Sequence, residues 1–111
     1  MRKVLGLTEK VTVFAERKKT LLAKIDTGAD KSSIDVKIAR ELGINDVLRT
    51  AIVKSAHGKT ERPVVRGEIM IAGKRFFTEF TLADRHGLRH KALIGNNTLR
   101  GFLIDPSKKR G

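Results

Sequence analysis

Leu21-Leu22-Ala23-Lys24-Ile25-Asp26-Thr27-Gly28-Ala29-Asp30 decides how the rest of this chain is read. An apolar run carries one carboxylate, Asp26, to the end of a strand and into a tight Thr-Gly turn. An unpaired charge at a buried strand end is costly. The position becomes useful when the carboxylate shares a proton with a second one. The chain offers no obvious second copy of the segment. The pattern therefore points to a site assembled from two chains, each giving one aspartate. Gly28 leaves room for another backbone to approach. Thr27 can donate and accept hydrogen bonds that tie two such turns together. The plainer reading of a lone Asp-Thr-Gly is an aspartate capping nearby backbone N–H groups. The apolar lead-in and the Ala29-Asp30 that follow weigh against it.

Outward from this segment the pattern is mostly strand. Val11-Thr12-Val13-Phe14-Ala15 is β-branched and half-alternating, and Glu16-Arg17-Lys18-Lys19 is a polar break. Residues 20–25 resume as a strand, so the first 25 residues read as a hairpin. Ser32-Ser33-Ile34-Asp35 reads as a short strand or turn. Residues 36–42 form the one clear early helix, with Val36, Ala39 and Leu42 at helical spacing, Asp35 as N-cap and Gly43 as stop. A strand over 47–55, a polar turn at His57-Gly58-Lys59 and β segments at 63–65 and 68–71 follow. Ala72-Gly73-Lys74 turns the chain into a strand over 75–82, where Phe76, Phe80 and Leu82 share one parity. Residues 84–91 are a charged loop and Ala92-Leu93-Ile94-Gly95 is apolar. A short helix over 96–100 and a strand at 102–104 close the pattern. Many short strands with turns every eight to twelve residues indicate an all-β-leaning barrel or closed sandwich with two small helices.

Composition narrows the chemistry. With 111 residues and 40% of them apolar, the chain reads as one domain spanning 1–111 with a modest core. The absence of cysteine excludes disulfides, thiolate metal sites and cysteine nucleophiles. No apolar run approaches the roughly 18 residues of a membrane span. Met1-Arg2-Lys3-Val4-Leu5-Gly6 lacks the apolar stretch of a signal peptide, so a cytoplasmic protein is expected. Twenty-four Lys and Arg against 12 Asp and Glu give a net charge of +12, which attracts polyanions or acidic peptides. The cations are scattered, with runs only at Arg17-Lys18-Lys19 and Lys108-Lys109-Arg110. With no Trp or Tyr, a base-stacking surface is poorly supplied, which counts against nucleic acid. The five phenylalanines read as core.

The segment around Asp26 resembles the active-site loop of the retropepsin-like aspartic proteases. The second half of that signature is an apolar pair, a glycine and a short helix, which Ala92-Leu93-Ile94-Gly95-Asn96-Asn97-Thr98-Leu99 matches in the right order. A closer similarity is to the retropepsin-like family labelled ATP-dependent zinc proteases. It rests further on Arg62-Pro63-Val64, Thr81-Leu82-Ala83-Asp84-Arg85, Leu93-Ile94-Gly95 and Phe102-Leu103-Ile104-Asp105-Pro106, and it spans residues 21–108.

The resemblance implies a mainly β fold, a closed acid-protease-like barrel with one or two short helices. It implies a homodimeric peptidase in which Asp26 from each subunit holds one water between them. Thr27, Gly28, Ala29 and Asp30 would complete the active-site loop, and Ile94, Gly95 and Asn96 the C-terminal turn. A β-hairpin flap over 53–64, with its tip at His57 and Gly58, would cover the cleft. The family's association with glutamate-adding ligases implies acidic or glutamate-tailed protein substrates. Asn96 stands where many members carry an arginine that braces the acid after Thr-Gly-Ala. Asp30 then lacks that partner unless Arg100 or another base takes over.

The residues argue for neither cofactor in the family label. There is no His-Glu-x-x-His, and His86 and His90, four apart, flank Gly87 in a loop rather than a helix. No phosphate-binding Gly-x-x-x-x-Gly-Lys-Ser/Thr is present. Ser32, Ser33 and Ser55 have no histidine placed by sequence as a base. A different class of function is also open: a non-catalytic module of the same fold that docks acidic peptides or ribosomal RNA through the basic surface.

Overall fold

The computed structural model describes residues 2–109; Arg110, which ends the second basic run, lies outside them. In chain order the strands are β1 (Val4–Leu5), β2 (Thr8–Phe14), β3 (Lys18–Ile25), β4 (Ser32–Asp35), β5 (Val47–Ser55), β6 (Gly58–Ile71), β7 (Lys74–Ala83), β8 (Ala92–Ile94) and β9 (Leu103–Ile104). Helix α1 (Val36–Leu42) follows β4, and α2 (Asn96–Leu99) follows β8.

Alternation sets the barrel. Along β2 and β3 the odd residues Val11, Val13, Leu21, Ala23 and Ile25 are buried, while Lys10 and Lys24 face out. Antiparallel pairing from Thr8–Lys24 to Phe14–Lys18 puts both apolar sets on one side. The strands run in the order β2-β3-β8-β4-β7-β6-β5, and β2 also pairs with β6. That extra pairing, Val11–Ile71 to Phe14–Glu68, closes six strands into a ring and leaves β5 outside it. Phe80, Ile34, Ile69, Ile71, Ile94 and Val65 fill the interior. Each such side chain contributes about 1.5–3 kcal/mol of burial.

The expected closed β barrel with short helices is thus observed. The α1 reading holds to the residue: the Asp35 side chain accepts the Ile38 N–H, and Gly43 ends the helix in the left-handed region. The second hairpin reaches further than its polarity suggests. Pro63 does not divide it, and β6 runs unbroken for 14 residues. Pro63 pairs with Thr50 of β5 on one side, and β6 meets β7 only from Val64, so at Pro63 the other edge of β6 has no strand neighbour and a missing donor there costs little.

Other expectations need correction. The first turn takes Ala15 to Arg17, and Lys18 and Lys19 belong to β3, held by pairing with Phe14 and Val13. The turn between β5 and β6 is Ala56-His57, because Ser55 pairs with Gly58; the hairpin tip thus falls one residue earlier than His57-Gly58. Phe77 is 56% exposed rather than core. Its parity is opposite to that of Phe80, and the Arg66 guanidinium lies 4.3 Å from its ring centre. No helix among the described residues is long and apolar enough to cross a membrane.

Candidate active site

Strand β8 lies between β3 and β4, parallel to the first and antiparallel to the second. The chain leaves β3 at Ile25 and enters β4 at Ser32, so residues 26–31 must arch over the end of β8. That arch is the segment Asp26-Thr27-Gly28-Ala29-Asp30-Lys31.

Hydrogen bonds fix it from both sides. The Asp26 N–H donates to the Ile94 carbonyl at 2.9 Å, and Asn96 and Asn97 N–H groups donate to the carbonyls of Ala29 and Asp30. The Asn96 side-chain amide donates to the Thr27 carbonyl at 2.8 Å. The Asp26 carboxylate accepts the Gly28 N–H at 2.9 Å, so the capping bond exists alongside any chemical use. A β-carbon on Gly28 would stand 3.2 Å from that carboxylate oxygen. Asp26 is half-buried, while Thr27, Gly28 and Asp30 are exposed. The structure thus brings Asp26 to Asp30 and Ile94 to Asn96 together. His57 and Gly58 stand at the end of the β5–β6 hairpin.

A polar network beneath the arch was not legible in the sequence, where Ser32 stood only as a weak nucleophile. Ser32 is fully buried. Its backbone N–H and its hydroxyl both donate to the side-chain oxygen of Asn97, at 2.8 and 2.9 Å. Its oxygen accepts the Gly95 N–H at 3.0 Å. Thr98 Oγ1 lies 2.6 Å from Ser32 Oγ, and Thr78 Oγ1 lies 2.7 Å beyond. The hydroxyls thus form a run from Thr78 through Thr98 to Ser32, and the side-chain oxygen of Asn97 is within reach of both Ser32 and Thr98, the latter at 3.4 Å. Among the described residues no buried side-chain polar atom is left without a partner. Ser32, Thr78 and Thr98 are far apart in the chain and each has a polar neighbour, so the sequence carried no signal for the network.

The arch forms one wall of a cavity of about 570 Å³, lined there by Gly28, Ala29 and Asp30. Four cations also line it: Lys31 beside the arch, Lys54 and Arg62 on the β5–β6 hairpin, and Arg85 from the loop after β7. Arg85 is held in place. Its backbone N–H donates to Asp35, its Nε to the His90 carbonyl and one terminal nitrogen to Ser33 Oγ. Lys91 donates to the carbonyls of Arg85, His86 and Leu88, which stitches that loop together. Arg85 enters none of the ion pairs among the described residues. Burial, and secondly the charge of Arg62, push its pKa below the ordinary guanidinium value, against the opposing pull of Asp35 and Asp26.

Asp30 also enters no ion pair among the described residues. Neither Arg100 nor any other base takes the place of the missing arginine as its ion-pair partner. Asn96 instead spends its amide on the Thr27 carbonyl. His86 lies in a turn, and no group of three or more potential ligands that could hold a metal stands together among the described residues.

Solved structures share this fold. Lpg0085 of Legionella pneumophila, a protein of unknown function, superposes with a TM-score of 0.73 at 21% identity, over 99% of this chain and 98% of that one. EIAV protease in complex with the inhibitor HBY-793 gives 0.63 at 20% identity, over 90% and 86%. The retroviral protease-like domain of Ddi1 from Leishmania major gives 0.58 at 21%, over 88% and 78%. No curated protein sequence matches the chain. The sequence profile of the retropepsin-like aspartic endopeptidase RimB matches residues 39–110, about two thirds of the length, starting after the Asp26 arch. The chain belongs to the RimB-like family of retropepsin-like aspartic endopeptidases.

Proposed function

We propose that this protein is a homodimeric aspartic peptidase with Asp26 as the catalytic residue of each subunit. The observation that carries the reading is the arch: it is clamped from both ends, holds the half-buried Asp26 carboxylate, and its next residues, Gly28 to Asp30, line a cavity large enough for a peptide side chain. Two such carboxylates in contact cannot both ionise cheaply, so one keeps a proton and the pair titrates as a unit. The ionised Asp26 takes a proton from a water as that water attacks the amide carbonyl. The protonated one hydrogen-bonds the carbonyl oxygen. The β5–β6 hairpin serves as the flap that excludes bulk water.

Lys31, Lys54, Arg62 and Arg85 around one cavity support acidic substrates, including glutamate-tailed proteins. A guanidinium that is partly buried and has no carboxylate partner is a receptor for one. Asp26→Asn removes the ionisable group at nearly constant shape. Cleavage of an oligoglutamate substrate is expected to vanish in that variant while the fold and the dimer persist. Undiminished hydrolysis would end the proposal and leave a binding module in its place.

A further inference from the structure

We infer that the flap is charge-gated: Arg62 on the hairpin and Arg85 on the cavity floor repel across the empty cleft, and a substrate carboxylate seated between them draws the flap shut. The inference rests on the acidic-substrate reading above and adds to it a cause for closure. Three features of the structure support it.

The first is how the charge is divided. Lys54 and Arg62 ride on the hairpin, whereas Arg85 and Lys31 belong to the body of the barrel. Moving the hairpin therefore changes the distance between two like-charged sets. A sphere of the cavity's 570 Å³ is roughly 10 Å across, about one Debye length at physiological salt. Repulsion over that gap is weakened but not abolished, and it grows as the flap descends.

The second is that Arg85 is fixed. Its loop is stitched by Lys91 and its own Nε is committed to the His90 carbonyl. The floor charge cannot swing away to relieve the repulsion, so the hairpin must yield. The Arg85 pKa is lowered first by burial and then by the charge of Arg62, against the pull of Asp35 and Asp26, so Arg62 is one of the charges that Arg85 senses.

The third is the hinge. The register of β5 against β6 slips between Val47 and Arg49, a bulge at the base of the hairpin. A bulge bends its strand and disrupts the ladder locally, which makes this base the place where the hairpin can pivot. Beyond it the hairpin has no strand neighbour outside its own two strands until β6 meets β7 at Val64. A carboxylate bridging Arg62 and Arg85 would replace repulsion by two charge-assisted contacts. A glutamine side chain of the same shape would not.

The test uses the full-length Asp26→Asn protein, octaglutamate and octaglutamine peptides, and hydrogen exchange of the amides at 53–62. Octaglutamate is expected to slow their exchange and octaglutamine to leave it unchanged. Arg62→Gln is expected to slow it without any peptide, as is raising salt from about 0.02 to about 0.5 M in the Arg62 protein. On the active enzyme, Arg62→Gln should lower the preference for glutamate over glutamine substrate by roughly 10- to 100-fold. If the Arg62 protein binds and cuts both peptides alike, the acidic-substrate reading fails. If it prefers octaglutamate but Arg62→Gln leaves hairpin exchange unchanged with and without peptide, the gate fails and that reading survives.

Discussion

A β-carbon placed on Gly95 would lie 2.6 Å from the carbonyl oxygen of Lys31 and 2.8 Å from that of Ala29. Both contacts are with backbone, so no side chain can swing aside. The turn after β8 and the Asp26 arch are therefore packed at a distance that only glycine allows. Gly95→Ala must push the arch off the turn and break the Asn96 bond to Ala29. We expect a loss of about 1–3 kcal/mol, as for other overpacked sites. Urea denaturation measures it; a midpoint equal to that of the parent would show that the arch is free to lift.

Ser32→Ala tests the hydroxyl chain. The substitution removes the acceptor of the Gly95 N–H and the hydroxyl bonds of Ser32 to Thr98 and Asn97, leaving the longer 3.4 Å contact of Thr98 with Asn97. Leaving buried polar partners unmade costs about 1–3 kcal/mol. The expected readout is that loss of stability together with faster amide exchange at Gly95. A neutral outcome would mean that water replaces the hydroxyl.

The flap root carries a pH-dependent tie. Arg49 donates through both terminal nitrogens to the two oxygens of Glu79. Those hydrogen bonds, reinforced by the charges of Arg49 and Arg66 against slight burial, hold the Glu79 carboxyl below its ordinary 4.5. A depressed folded pKa means that the contribution is present above about 4.5 and is lost as pH falls through the folded value. The stability gap between the parent and Glu79→Gln should therefore be open at neutral pH and close in acid. Both side chains are largely in solvent, so the gap is small. Denaturation midpoints across the pH range check it, and a gap that widens in acid would contradict the assignment.

Much of this architecture is written in local pattern. The α1 boundaries follow from Asp35 and Gly43, and the arch from an apolar run meeting Thr-Gly. What escaped has a common cause, which is distance along the chain. β1 is two residues long and has no period to detect, and although the strand at 102–104 was legible as β9, its pairing of Leu103 with Val4 was not, because the barrel brings together segments far apart in sequence. The link of Ser32 to Asn97 spans 65 positions. The cationic cavity joins Lys31, Lys54, Arg62 and Arg85 from four separate segments, each of which reads alone as ordinary surface charge. Phe77 is the exception, since its parity relative to Phe80 already placed it outside.

The insertion of β8 between β3 and β4 also sets an order of events during synthesis. Asp26 is made well before the residues that shape its surroundings, 92–98, which lie far along the chain from it. A nascent chain that has not yet reached residues 92–98 holds the acid without the geometry. Long-range pairings of this kind also slow folding. The Asp26 arch therefore takes its shape only after residues 92–98 have joined the sheet.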